Sequence, residues 1–161
     1  KYPEETKFIA ESGLEIGNHS NNHLHMSKIS KDEISREIDS VNERIKNLTG
    51  KTPAYFRPPF GEYDNKLLSV VKEKNMVGVQ WSVDSLDWKG LSGEEIAKRV
   101  LSRVHNGAII LFHNNSDHVL DALPIILPKL KADGYKCVSI DELVMTENYI
   151  IDNRGVQHRN A

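Results

Sequence analysis

Histidine is concentrated in one stretch of this chain. GNHSNNHLHM contains His19, His23 and His25, three of the seven histidines. Residues four apart on a helical turn or a tight loop can point the same way, so His19 and His23 could share one divalent ion. A catalytic zinc ion takes three protein ligands and a water, and this stretch supplies two. His25 stands two residues beyond His23. On an extended segment it faces the opposite side, and on a helix it lies about 200° around, so it is expected to point elsewhere. His113 ends the apolar run AIILF and could act as a general acid or base, because imidazole titrates near neutral pH. Asp87 could orient it. Arg57 could hold a carboxylate or another anion. Trp88 could floor a sugar groove or pack in a core. Taken singly, each has a plain structural account: a loop imidazole bonded to backbone, a turn carboxylate, a surface ion pair.

These residues need elements to position them. Pro3, Glu4 and Glu5 open a helix that Gly13 closes, and LEIGNHS then reads as a short strand. Ser30 and Glu33 form a capping box at the start of a helix over 30–48, with Ile34, Ile38, Val41, Ile45 and Leu48 on one face. A strand near 54–57 precedes a helix over 64–75 with Asp64 as its N-cap. A strand over 76–83 follows. Ser92 and Glu95 form a second capping box, opening a helix over 92–105. AIILF, 108–112, is apolar throughout, as a doubly buried strand should be. Next comes a helix over 118–132, irregular at Pro128, and then YKCVSI as a last strand. NYIIDNRGVQH reads as a small hairpin turning at Asn153–Gly155. Strands alternating with helices imply parallel strands joined by helical crossovers. The polar groups follow the C-terminal ends of four strands, the face on which parallel barrels build active sites.

Composition narrows the classes. The chain has 161 residues, 39% hydrophobic and 27% charged, as expected of one globular domain. A formal net charge of −2 argues against nucleic acid as a partner. No apolar run approaches the ~20 residues of a membrane helix. The single cysteine, Cys137, excludes an internal disulfide and is expected to be a small buried hydrophobe.

His19-Ser20-x-x-His23, Arg57-Pro58-Pro59-Phe60-Gly61, Asp84-x-x-Asp87-Trp88 and Ile110-Leu111-Phe112-His113 occur in this order. Together they resemble the polysaccharide deacetylase family, also called the NodB homology domain or carbohydrate esterase family 4. GNHS, RPPFGEY and DSLDWKG are similar to its sporulation-type peptidoglycan deacetylases. The resemblance spans roughly 1–145. It implies a deacetylase domain over 1–147, truncated at its N-terminus, and a tail over 148–161. The implied fold is α/β, a distorted, incomplete (β/α) barrel of parallel strands lacking its first β/α units.

The implied activity is metal-dependent hydrolysis of N-acetyl groups on a polysaccharide such as peptidoglycan or chitin oligomers, releasing acetate. His19 and His23 would be metal ligands, most simply for zinc, with cobalt or nickel as alternatives. Arg57 would orient the carboxylate of the catalytic base, and the Phe60 N–H would stabilise an oxyanion. Asp87 would orient His113, the general acid. Trp88, Leu111 and Phe60 would line the substrate site. The implied location is extracellular or at the cell wall. The family's Thr-Phe-Asp-Asp-Gly motif supplies the base and the third ligand, and no Asp-Asp pair occurs here. Leu24 also stands where many relatives have proline. The chain alone is therefore expected to be inactive, needing an N-terminal segment or a partner chain to complete the barrel. Two alternatives remain: an O-acetyl xylan esterase, and a glycan-binding relative or fragment without activity.

Overall fold

A computed structural model describes residues 2–160. Lys1 and Ala161, the outer ends of the expected domain and tail, lie outside the described residues. The chain divides between Gln80 and Trp81 into two compact units, each with its own buried core.

In the first unit, α1 (Pro3–Glu11) starts at Pro3 with Glu4 and Glu5 in its first turn, and Gly13 beyond it has φ 77°. It buries none of its residues and leaves Phe8 and Ile9 exposed. The strand expected in LEIGNHS shrinks to one residue, Asn18, bridging in parallel to Phe56. Helix α2 (Lys31–Thr49) has both bonds of the capping box between Ser30 and Glu33, and ends at left-handed Gly50. Its expected apolar stripe is fully buried at Ile34 and Ile38 and half-buried at Val41, Ile45 and Leu48. Strand β1 (Tyr55–Phe56) is followed by α3 (Asn65–Glu73), N-capped by Asp64, and by β2 (Val77–Gly78), parallel to β1. Ile34, Ile38, Phe56, Leu67 and Val70 are among the residues that close this core.

In the second unit, β3 (Val83–Asp84) pairs in parallel with β4 (Ile110–Leu111), Val83 beside Ile110 and Asp84 beside Leu111. Between them α4 (Gly93–Leu101) carries the second capping box, Ser92 with Glu95. Helix α5 (Val119–Ala132) continues through Pro124 and Pro128. It packs so closely on α4 that a Cβ at Gly93 would lie 2.6 Å from Asp121 Cβ. A short α6 (Ile140–Leu143) precedes an antiparallel hairpin, β5 (Tyr149–Ile151) with β6 (Gln157–Arg159). The buried face of α4 (Ile96, Ala97, Val100) meets Ala122, Ile126 and Leu130 of α5 over Val83. No helix among the described residues is long and apolar enough to cross a membrane.

Four expectations need correction. The strand expected over 76–83 is two strands, because β2 bonds to β1 and β3 to β4. YKCVSI is not a strand. Ser139 Oγ accepts from Glu142 N instead, and this cap turns the chain into α6. Cys137, expected to be buried in that strand, is exposed. The helix expected over 92–105 stops at Leu101, with Ser102 as its C-cap.

Asn18 links three elements of the first unit. Its backbone N–H donates to Tyr55 O (2.8 Å) and its carbonyl accepts from Arg57 N (2.9 Å). Its side chain, almost wholly buried, donates from Nδ2 to Ile38 O (2.9 Å) and to Asn42 Oδ1 (2.8 Å) on α2, while Oδ1 accepts from Ser20 N (2.9 Å). Asn18→Ala leaves these groups without partners in a buried place, and should lower unfolding stability by about 1–3 kcal/mol, measured by urea denaturation.

The two capping boxes also set a pH dependence. The Glu33 carboxyl is held below its ordinary 4.5 by bonds from the Ser30 hydroxyl and then the Ser30 N–H. Glu95 is lowered in the same way, chiefly by the Ser92 N–H. The unfolded chain therefore takes up these protons first, and the caps' contribution is complete above about pH 4.5. It is lost as pH falls through the lowered folded-state values. Acid titration of thermal stability should show a shallower decline below that pH for the Glu33→Gln, Glu95→Gln variant than for the parent.

Candidate functional site

The histidine loop of the first unit is built on two left-handed residues, Ser20 (φ 64°) and His23 (φ 54°). Ser20 Oγ accepts from His23 N at 2.9 Å, closing the turn. Glu37, a buried carboxylate on α2, accepts from Asn21 N (3.0 Å), Asn22 N (2.7 Å) and Asn22 Nδ2 (2.5 Å). The turn therefore presents its two amides to a fixed anion, and the flanking imidazoles project from a braced loop. His19 Nδ1 lies 2.6 Å from Arg57 O. A carbonyl only accepts, so Nδ1 carries the proton, and in the neutral ring the lone pair is on Nε2. The His19 and His23 rings meet edge to face, with centroids 5.0 Å apart.

The loop Arg57–Gly61 follows β1, and Asn18 bridges to Phe56 in parallel, so His19 and Arg57 leave neighbouring strands at the same end. The Arg57 guanidinium is partly buried, which lowers its pKa from its ordinary value, and a guanidinium stays cationic in a protein. It makes no hydrogen bond or ion pair with another side chain among the described residues. A half-buried cation of this kind suits an anionic partner. Phe60 lies in the left-handed region (φ 59°, ψ 3°), inside the short turn Pro59–Gly61.

The second unit holds the acid–base pair. The Asp87 side chain is fully buried and accepts twice from one residue: Oδ2 from the His113 N–H and Oδ1 from His113 Nδ1, both at 2.7 Å. This fixes the ring orientation and puts the second nitrogen, Nε2, outward for proton exchange. Asp87 is itself placed by left-handed Leu86 (φ 55°), whose N–H bonds Asp84 Oδ1 (2.9 Å). Ser116 Oγ donates to Asp87 O (3.0 Å). Leu111 is buried on β4, and Trp88 is exposed beside Lys89, whose ammonium lies 5.1 Å from the ring centroid.

Within each unit the expected residues come together: His19 and His23 with Phe60 and Arg57, and Asp87 with His113. His25 is the exception to the spacing argument. The left-handed turn at His23 brings it back, and its ring stacks on Phe60, the same ring that His23 touches. Asn18 and Glu37 were not singled out by sequence reasoning. Glu37 lies three residues beyond Ile34, beside the apolar stripe, and a carboxylate at such a position was a signal that could have found it.

A catalytic zinc site needs three protein ligands. Among the described residues no group of three or more His, Cys, Asp or Glu side chains is placed to hold a metal ion. The residues present thus fit a pair of ligands and not a complete set.

The polysaccharide deacetylase family model matches residues 1–79. The chain is 37% identical over 150 residues to the peptidoglycan-N-acetylglucosamine deacetylase of Bacillus cereus, covering 91% of this chain and 54% of that protein. Among solved structures, the Bc1960 peptidoglycan N-acetylglucosamine deacetylase superposes with TM-score 0.86 at 36% identity, over 88% of this chain and 68% of that one. BA3943 of Bacillus anthracis, a family 4 carbohydrate esterase pseudoenzyme, superposes with TM-score 0.85 at 32% identity, over 88% and 50%. The chain spans about half the length of the curated relatives it matches. With four ordered motifs, brought together as two pairs, one within each unit, and these likenesses, the chain belongs to the polysaccharide deacetylase family.

Proposed function

We propose that this chain carries most of the machinery for hydrolysing an N-acetyl group on a cell-wall glycan, with peptidoglycan the first substrate to test. The observation that carries this reading is the Asp87–His113 pair, a buried carboxylate fixing an imidazole by its ring and its backbone. Water adds to the amide carbonyl carbon, the C–N bond breaks, and the nitrogen takes a proton from His113 Nε2. Acetate and a free amine result. Asp87 keeps Nδ1–H pointed at itself, so Nε2 is the nitrogen that gives the proton, a step worth typically ~10²–10⁴ in rate. Arg57 holds the carboxylate that takes the water's proton, a group supplied from outside this chain's residues. The Phe60 N–H donates to the oxyanion. Trp88 and Leu111 border the sugar and the acetyl group. His19 and His23 would hold the metal, zinc before cobalt or nickel, with a third ligand from outside the chain. A bound ion would supply acidity to water and charge opposite the oxyanion. The parallel strand pairs support a place in an incomplete β/α barrel, and the names of the relatives support work at the cell wall, outside the cell.

A second reading has its own support. No group of three or more ligating side chains among the described residues is placed to hold a metal ion, and one similar structure is a pseudoenzyme, so a glycan-binding relative without activity is the rival. Acetate release from peptidoglycan, chitin oligomers and acetylated xylan separates the readings, measured with zinc on this chain joined to a segment that supplies the base carboxylate and the third ligand. Release from the first two supports the amidase, release from xylan alone supports an esterase, and glycan binding without release supports the binding protein.

Two variants test the roles. His113→Ala should reduce acetate release by about 10²–10⁴ while zinc affinity, read by calorimetry, stays at the parent value. Unchanged release removes His113 from the mechanism. His19→Ala should weaken zinc binding by more than the ~10–100-fold typical of losing an outer-shell partner. Affinity equal to the parent's removes His19 as a ligand.

A further inference from the structure

The ring of Phe60 is held between two imidazoles. His25 stacks flat on it, with ring centroids 4.2 Å apart and planes inclined by 12°. His23 meets it edge-on, at 4.6 Å and 72°. His25 is fixed in turn by Glu62, whose Oε2 lies 2.9 Å from its Nδ1. Nδ1–H donates, since a carboxylate only accepts. Glu62 belongs to the same turn as Phe60: its N–H donates to Pro59 O (3.2 Å), and Gly61 N donates to Pro58 O (3.1 Å). Gln80 Nε2 donates to Gly61 O (2.7 Å) from the far side. The clamp therefore closes on itself, running from Phe60 to His25, to Glu62, and back through the backbone.

The arrangement answers a specific problem. Phe60 lies at φ 59°, a conformation that side chains other than glycine adopt only when their surroundings impose it. Burial cannot impose it here, because Phe60 is 53% exposed. A peptide unit in that conformation would relax by rotating, and rotation would swing the ring away from both imidazoles. The flat stack with His25 resists that rotation from one face, and the His23 edge resists it from another.

We propose that His25 is a positioning residue. With Glu62 it clamps the Phe60 ring against His23, and so fixes the Phe60 N–H relative to the His23 imidazole. The idea rests on the reading above, in which that N–H meets the oxyanion and His23 is a metal ligand. It adds to it that the donor and the ligand are held as one rigid group, by a residue that touches neither substrate nor metal.

The test uses His25→Ala, His25→Phe and Glu62→Gln in this chain joined to a segment that supplies the base carboxylate and the third ligand. Each is read by acetate release, by zinc titration, and by the NMR shifts of the Phe60 ring and amide. The clamp predicts that His25→Ala displaces the Phe60 ring and amide resonances. It also predicts a kcat fall of about ten- to a hundredfold with KM unchanged, as small misplacements of catalytic groups do. Zinc affinity should change far less than in His19→Ala. His25→Phe, which keeps a flat ring, should restore most of kcat and the shifts, and Glu62→Gln should fall between. Unmoved Phe60 resonances in His25→Ala overturn the clamp. So do moved resonances with an unchanged kcat. If the completed parent releases no acetate, the deacetylase reading fails, and the resonances decide the clamp alone: displacement that His25→Phe reverses supports it, and no displacement ends it.

Discussion

One buried carboxamide governs the first unit. Asn18 bonds β1 through its backbone, α2 through Nδ2, and the histidine loop through Oδ1. His19 follows it directly, and Arg57, whose N–H bonds the Asn18 carbonyl, follows the neighbouring strand. The position of both side chains is thus set by groups that touch Asn18. A polar side chain this deep is tolerated because its donor and acceptor groups are all matched. The same matching makes its geometry specific, since any shift would strand a hydrogen bond in a place without water.

The second unit reaches a similar result with a carboxylate. Asp87 has no lateral freedom, because its two oxygens hold one histidine by two different groups. The bond to the His113 backbone fixes the distance between the turn and the end of β4. The bond to Nδ1 then fixes the ring on that base. An aspartate that bonded the ring alone would orient it without locating it. The turn that brings Asp87 in is strained at Leu86, and the strain is offset because Leu86 N–H donates to Asp84 Oδ1 and Asp87 N–H to Ser85 Oγ.

Much of this was legible in the sequence. Both capping boxes, the Asp64 cap and the apolar stripe of α2 follow from side chains acting within a few residues of themselves, and such short-range physics reads directly. The grouping of His19 with His23, and of Asp87 with His113, followed from strand ends and ordered motifs. What was not legible depends on contacts distant in sequence or on backbone signs. Nothing near residues 76–83 states that half the run pairs with β1 and half with β4. The placement of His25 turned on one positive φ at His23, where neither an extended nor a helical spacing applies. YKCVSI has a strand's composition, but composition reports only a willingness to be half-buried, and the Ser139 cap inside the run makes a specific bond to Glu142 N.

The strands themselves explain why side chains carry so much of the positioning. β1 to β4 are each two residues long, so their ladders supply few hydrogen bonds and little stiffness. Rigidity at the functional loops comes from bonds that helices send to backbone groups. Glu37 on α2 takes the amides of Asn21 and Asn22. Lys66 on α3 donates to Ser27 O (3.0 Å) and Ile29 O (2.6 Å), holding the segment just after His25. Arg99 on α4 donates to Asp84 O (2.8 Å), at the root of the Asp87 turn. All three side chains are charged, so each bond is stronger than a neutral one, and each grips main chain, whose groups do not change when a loop residue is replaced. Such loops can vary in sequence while their path is kept. Four of the left-handed non-glycine residues, Ser20, His23, Phe60 and Leu86, lie in segments gripped in this way or by Asn18 and Gln80. Strain persists where the surrounding bonds over-determine the backbone, and here those bonds arrive from the helices rather than from the sheet.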